Sequence, residues 1–450
     1  MNQQPTHLEQ KTEQLRDLIA WFRHSSPYIN VHRGRTLIIS VNGEFIQNPA
    51  FQNFIHDIAL LNALGVNLVL THGARPQIEA TIKKQQLEPR LVEGLRVTDL
   101  ACLQCVKEAV GVIRADIEAL FSMGLANTPM AGANIQVTSG NFVIAKPLGV
   151  INGVDYQHTG DVRRINSAAI KNHLSNREVV LISPLAYSTT GEIFNLNAEA
   201  IAIAMAEALK ADKLLLFYDG HNPLYRHLTS LAEVSVAEAK KMIAQIPKDQ
   251  LIHHPVHLAL QACQRGVPRV HLLDMHVDGA LLIELFTRDG LGLMLSTSPY
   301  EGMRQAKVED VPGILELIKP LEDQGILVRR SREKLEVEIH HFIVMEREGM
   351  IIGCIALYPH AAEAIGEVAC LAVHADYLKT GRGQSLLSYA EQHAKKIGLN
   401  ILVLLTTRTA HWFIERGFQE TEIHSLPLAK QKFYNYQRKS KVFKKMLLEQ

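Results

Sequence analysis

Asp376-Tyr377-Leu378-Lys379-Thr380-Gly381-Arg382-Gly383-Gln384-Ser385-Leu386-Leu387 links a strand pattern to a helix pattern. Upstream, Glu367-Val368-Ala369-Cys370-Leu371-Ala372-Val373 is β-prone, while downstream Leu386, Leu387, Tyr389, Ala390 and Ala394 recur at helical spacing. A turn of this kind aims backbone N–H groups at one point with the positive end of a helix dipole behind them. That is a cradle for an anion such as a pyrophosphate. Two glycines alone are a weak signal. Their neighbours strengthen it: a strand pattern at Leu402–Leu405, then Thr406-Thr407-Arg408-Thr409-Ala410-His411-Trp412-Phe413-Ile414-Glu415-Arg416-Gly417-Phe418, a helix closing on Gly-Phe.

That order resembles the GNAT superfamily of acetyl-CoA-dependent N-acetyltransferases. The resemblance implies that the amides of Lys379, Thr380, Gly381, Arg382, Gly383 and Gln384 hold the pyrophosphate of acetyl-CoA. It also implies that the strand at Leu371, Ala372 and Val373 runs past the thioester, with a backbone N–H there holding the oxyanion. The chain departs from the pattern at Leu378, where a basic residue is usual, and at Lys379, where glycine is usual; Lys379 and Arg382 are the available substitutes for the charge. Phe413 stands where many relatives place a tyrosine acid, so the acid is unassigned, with Tyr434 a guess.

At 450 residues the chain calls for two or three domains, and 47 basic against 46 acidic residues give no global field for nucleic acid or membrane. No apolar run reaches the roughly 18–20 residues that span a bilayer. The start lacks the pattern of a secretory signal, and five unevenly spaced cysteines fit a reducing cytoplasm. Cys102 and Cys105 lie in a helical pattern without a second pair, and His253, His254 and His257 lack acidic or thiol partners, so no metal site is expected.

Residues 1–33 predict an amphipathic helical arm with Leu15, Leu18, Ile19 and Phe22 on one face, bounded by Pro27. It packs either on its own domain or on a neighbouring subunit. Residues 34–296 alternate strand and helix patterns, an α/β arrangement with a mostly parallel sheet between helix layers. A hairpin is expected at Ile135–Thr138 and Phe142–Ala145. Residues 297–303 are turn-rich and read as a linker, and residues 304–450 read as an α+β domain.

The first domain resembles the amino-acid kinase family, which implies a three-layer αβα fold. The strand at Leu37–Val41 and the turn Thr71-His72-Gly73-Ala74-Arg75-Pro76-Gln77 match family positions, as does Gly191–Ala198. Yet Ser40 and Pro255 stand where the kinases carry lysines, and Ala74 and Arg75 where they carry glycines. Phosphoryl transfer depends on positioned positive charge, so the kinase reaction is expected to be lost. Val277–Gly292 resembles the arginine-binding stretch of arginine-sensitive members. By that resemblance Glu284 meets a cationic group of L-arginine, Gly290 gives close backbone approach, Lys213 meets the carboxylate and Tyr28 closes the site. From the residues alone, a carboxylate in an apolar helix needs some partner, internal or bound.

Both halves together resemble one family, kinase-like domains fused to GNAT domains that open arginine biosynthesis. The resemblance implies acetyl transfer from acetyl-CoA to the α-amino group of L-glutamate, arginine feedback, and a homo-oligomer, a ring of several subunits. Glu367 is the candidate base, acting through water, or a strand carboxylate with a structural partner. Arg438 and Ser440 are implied for the α-carboxylate of glutamate and Arg329 for its side-chain carboxylate; the bland alternative at Arg329–Arg332 is a solvated basic turn. An inert arginine sensor on the same two folds is the competing class of function.

Overall fold

The computed structural model describes residues 7–124, 126, 128–247, 254–287, 289–297, 301–347, 350–378, 381–431 and 440–447. The chain forms two compact units, residues 1–298 and 299–450.

In the first unit the chain order is α1 (His7–His32), β1 (Thr36–Val41), α2 (Phe51–Ala63), β2 (Asn67–His72), α3 (Arg75–Lys84), α4 (Leu100–Phe121), β3 (Val137–Thr138), β4 (Val143–Pro147) and β5 (Gly160–Ile165). There follow β6 (Val179–Ile182), β7 (Leu185–Tyr187), β8 (Ile193–Asn195), α5 (Ala198–Leu209), β9 (Lys213–Tyr218), β10 (Glu233–Ser235), α6 (Pro255–Gln264), β11 (Arg269–Asp274), α7 (Ala280–Phe286) and β12 (Leu293–Ser296). Eight strands form one sheet in the order β10-β12-β11-β9-β1-β2-β6-β3, parallel except where β12 runs against β11. Strands buried on both faces read as continuous apolar runs, as Leu37–Ile39 and Leu214–Tyr218 do. One apolar layer joins α5 and α6 to the sheet and the other joins α2, α4 and α7.

Two local expectations fail here. The runs expected as a hairpin separate: Val137–Thr138 joins the large sheet beside β6, whereas Val143–Pro147 joins a four-stranded sheet of order β8-β7-β4-β5. The better partner for each run lies far along the chain. Pro27 does not bound α1, which continues to His32. The last turns are held from outside, Ser25 Oγ donating to Phe286 O at 3.1 Å and His32 Nε2 lying 2.8 Å from Leu285 O. Tyr28 and Ile29 pack on the unit's own core, while Leu15, Leu18, Ile19 and Phe22 are exposed. Cys102 and Cys105 are buried on α4 as core residues.

The second unit begins with β13 (Glu301–Gln305), so part of the stretch expected as linker pairs antiparallel with β14 (Phe342–Arg347). Between them lie α8 (Val311–Asp323) and α9 (Arg332–Glu338); then come β15 (Met350–His360), β16 (Ile365–Val373), α10 (Arg382–Lys396), β17 (Ile401–Thr406), β18 (Gln419–Thr421) and β19 (Lys441–Met446). The sheet order is β13-β14-β15-β16-β17-β19-β18, and only β16 and β17 pair in parallel. One face packs on α10 through Leu386, Leu387 and Ala390, and the other on α8 through Ile314 and Ile318.

Phe443 on β19 is fully buried under the α10 layer and opposes Leu404. Phe443→Ala should destabilise this unit by about 3–5 kcal/mol through lost burial and a residual cavity. Urea unfolding followed by Trp412 fluorescence, in a Trp21→Phe background, measures it.

Candidate active site and effector site

The candidate active site of the second unit is built on a break in strand pairing. Cys354 opposes Ala372 and Ala356 opposes Ala369, so β16 carries an extra residue, and Cys370 has φ of +50°. A bulge bends its strand and increases the local twist. The ladder to β17 accordingly runs from Ile365↔Ile401 to Val368↔Leu404 and ends, while β16 continues to Val373. The edge at Leu371, Ala372 and Val373 is thereby opened beside the turn that starts α10.

Gly381 caps that helix at φ +84°, a left-handed conformation glycine adopts without strain. The Ser385 N–H bonds Gly381 O at 3.0 Å, and helix geometry gives the earlier amides, those of Arg382, Gly383 and Gln384, no intrahelical acceptor. A side-chain carbon on Gly383 would lie 3.4 Å from Trp412 Cζ2, so the glycine admits the helix to close contact with Trp412. These features fit a bound pyrophosphate. The guanidinium of Arg382 points elsewhere. It pairs with Glu301, with Nε 2.9 Å from Oε2, and stacks 4.5 Å over the Tyr377 ring, so the expected charge from Arg382 is committed within the protein. Lys379, Thr380, Tyr434 and Arg438 lie outside the described residues.

Glu367 is buried on β16, directly opposite Tyr358 of β15. Its Oε1 lies 2.7 Å from the Nζ of Lys430, a residue that sequence reasoning did not single out. Of the adjacent arginines, Arg329 is exposed and contacts Asp323 at 3.4 Å. Arg330 turns inward instead. Burial opposes its charge, but Cys370, Tyr358 and Glu338 around it favour the charged form and hold its pKa above the usual value. Tyr358 Oη donates to Glu338 Oε2 at 2.8 Å. Which of two neighbouring arginines faces the sheet has no signature in composition or spacing. Ser440 is buried just before β19. Phe413 packs on Phe418 in the core, with ring centroids 5.6 Å apart.

In the first unit a cavity of about 500 Å³ opens at the carboxyl ends of β1, β2 and β9. Ser40 and Pro255 both line it, as do Glu44, Glu199 and Asp219; no lysine lines it among the described residues. Burial pushes His72, beside it on β2, down to about 4, so the imidazole is neutral near pH 7. Arg75 and Arg96 also line the cavity, so it carries both signs of charge, and what it lacks is a lysine at the positions of Ser40 and Pro255.

Of the residues expected to hold arginine, Glu284 lies on α7 and Gly290 in the loop that follows it. Lys213 begins β9, and Tyr28 packs on the same apolar layer as α7. Glu284 is buried and hydrogen-bonded to His271 Nδ1, and its Oε2 accepts from Leu291 N at 2.7 Å and Gly292 N at 2.8 Å. Burial would raise its pKa, but His271 and the two amides outweigh that and hold it at about 2. Gly290 has φ of +63°, and a side-chain carbon there would stand 2.5 Å from Glu284 Oε2. Glycine is required on both counts.

Residues 35–274 match the amino acid kinase family, and residues 338–420 match the acetyltransferase (GNAT) domain. The amino-acid acetyltransferase of Azotobacter vinelandii is 52% identical over 439 residues, covering 96% of this chain and all of that protein. That of Pseudomonas aeruginosa is 48% identical with the same coverage. The chain belongs to the amino-acid acetyltransferase family. N-acetylglutamate synthase from Neisseria gonorrhoeae, complexed with coenzyme A and L-arginine, superposes with a TM-score of 0.84 at 33% identity, over 96% of this chain and 99% of that one. The Neisseria enzyme complexed with coenzyme A and N-acetyl-glutamate gives 0.58 at 34% identity over the same shares. As a member of the amino-acid acetyltransferases, this chain is an N-acetyltransferase using acetyl-CoA, which sets aside the inert sensor. No helix among the described residues is long and apolar enough to cross a membrane.

The Glu284 cluster makes stability pH-dependent. Its folded pKa is depressed below the ordinary 4.5, so its contribution is complete above about pH 4.5 and is lost as pH falls toward about 2. Thermal unfolding of wild type and Glu284→Gln across that window should show a difference that is largest near neutrality and vanishes at the acid end.

Proposed function

We propose that this chain transfers the acetyl group of acetyl-CoA to the α-amino group of L-glutamate, giving N-acetyl-L-glutamate and CoA, and that L-arginine regulates it through the first unit. The observation that carries the reading is the opened edge of β16 beside the Gly381 turn, with a buried carboxylate, Glu367, on the same strand. The Neisseria complexes add the ligand chemistry: coenzyme A with L-arginine in one, coenzyme A with N-acetyl-glutamate in the other.

Acetyl-CoA supplies an activated acyl carbon. The amides at the start of α10 hold the anionic end of the cofactor, and a backbone N–H at Leu371 or Ala372 meets the carbonyl oxygen as it gains charge. The amine of glutamate is mostly protonated near pH 7, so a base must take a proton before attack. Glu367 takes that role through water. Lys430 balances its charge in the free chain, and the incoming ammonium replaces that lysine as the carboxylate's partner. The amine then forms the new C–N bond, its nitrogen sheds a second proton to water, the C–S bond breaks, and CoA departs as a thiolate. Arg438 and Ser440 bind the α-carboxylate, and Arg329 the side-chain carboxylate, through bidentate geometry that guanidinium supplies best. Arg330 holds the wall of the pocket behind Tyr358.

Release of CoA thiol from acetyl-CoA should depend on L-glutamate and respond to L-arginine. Release indifferent to arginine would remove the regulatory half of the proposal and leave the transferase. Glu367→Gln should lower kcat by about 100-fold or more and flatten its acid limb. A wild-type rate across pH would end the assignment of Glu367 as base.

A further inference from the structure

We infer a divalent-cation site of the zinc class in the first unit, formed by Asp219, His221 and His276 at the edge of the kinase-like cavity. The three residues come from the loops that follow β9 and β11, neighbouring parallel strands whose ends are in register at Tyr218↔Asp274. In such sheets the crevice outside the carboxyl ends of the strands is where ligands collect. One ligand atom from each residue lies within 4.8 Å of the other two. Ligand atoms around a tetrahedral zinc ion stand about 3.4 Å apart, so side-chain rotation brings the three atoms together around an ion.

The two loops are built to hold that arrangement. Asp274 Oδ1 accepts from Gly220 N at 3.1 Å and from His276 N at 3.0 Å, tying one loop to the other. A side-chain carbon on Gly220 would fall 2.0 Å from Asp274 Oδ2, so the brace requires glycine between Asp219 and His221. Asp219 Oδ1 lies 2.7 Å from His276 Nε2 and accepts from His221 N at 3.0 Å. The rings of His221 and His276 stack face to face with centroids 3.8 Å apart and planes 16° apart, so a shared ion requires one imidazole to turn out of the stack. Two imidazoles and a carboxylate are a donor set of zinc-site type, which leaves the fourth tetrahedral position to a water or an anion. Asp219 also lines the cavity, so a bound cation would restore positive charge at one edge of a cleft that lacks lysine. The site escapes sequence reading because Asp219-Gly220-His221 and His276 are far apart in the chain.

Titration of the full-length chain with Zn²⁺ by calorimetry, supported by the visible spectrum of the Co²⁺ form, tests the assignment. Wild type should bind one equivalent that His221→Ala weakens about tenfold or more and that His276→Ala weakens further. His221 is exposed, so its removal leaves folding intact and keeps the test decisive should His276→Ala fold poorly. Equal stoichiometry and affinity in wild type and His221→Ala, or no binding by wild type, would overturn the site and leave a hydrogen-bonded Asp219–His276 pair.

Discussion

The β15–β16 pairing holds two residues of β16 against one of β15, and the chemistry of the second unit hangs on that mismatch. Without it β16 would stay in register with β17 to its end, and its amides would be consumed in a ladder. The bulge at Cys370 turns the strand away after Val368, and beyond it β16 keeps its pairing with β15 but loses its β17 partner, which leaves the β17-side amides outside a ladder. The same bend sets Leu371 against the α10 layer and Cys370 and Ala372 against the α8 layer. Close packing is what keeps Cys370 at positive φ, a conformation costly for any residue with a side chain. Substrate-facing geometry is therefore stabilised by two apolar layers that never touch substrate.

The first unit separates fold from chemistry. Its sheet and helices need apolar strands and capped helix starts, as where Asn197 accepts from Ala200 N at 2.8 Å at the head of α5. None of that depends on the lysines that phosphoryl transfer requires. Ser40 and Pro255 fit the same walls at no cost to packing, since both are buried and Pro255 sits in the first turn of α6, where a missing N–H is harmless. The core is thus indifferent to the positions at which the expected kinase lysines are absent.

Strand-helix alternation and the glycine turn carried the architecture in the sequence, because both are local patterns. What escaped was decided by partners distant in the chain. Val137–Thr138 and Val143–Pro147 look like a hairpin locally but find better neighbours in separate sheets. Glu301–Gln305 is too polar to read as a strand, and pairing with β14 makes it one. In the site, Glu367, Glu284 and Gly290 stand out in the sequence as residue types in unusual places. Lys430, Arg330 and the pairing of Arg382 with Glu301 do not, since they depend on which way a long side chain turns after folding.

Those hidden partners share one logic. Burying a charge without compensation costs several kcal/mol, so a ligand-free site must neutralise its own groups. Glu367 does so with Lys430, and Glu284 with His271 and two backbone amides. A cationic ligand arriving at either carboxylate gains only the difference between its own contacts and those it displaces. At Glu284 the competition is steep, because the amides of Leu291 and Gly292 belong to the loop that carries Gly290. Any guanidinium that engages Glu284 must share or shift those bonds, and that moves the loop. On the proposed reading, arginine at a buried carboxylate tied to a glycine-hinged loop would convert occupancy into backbone displacement, the physical requirement for a site that regulates from a distance.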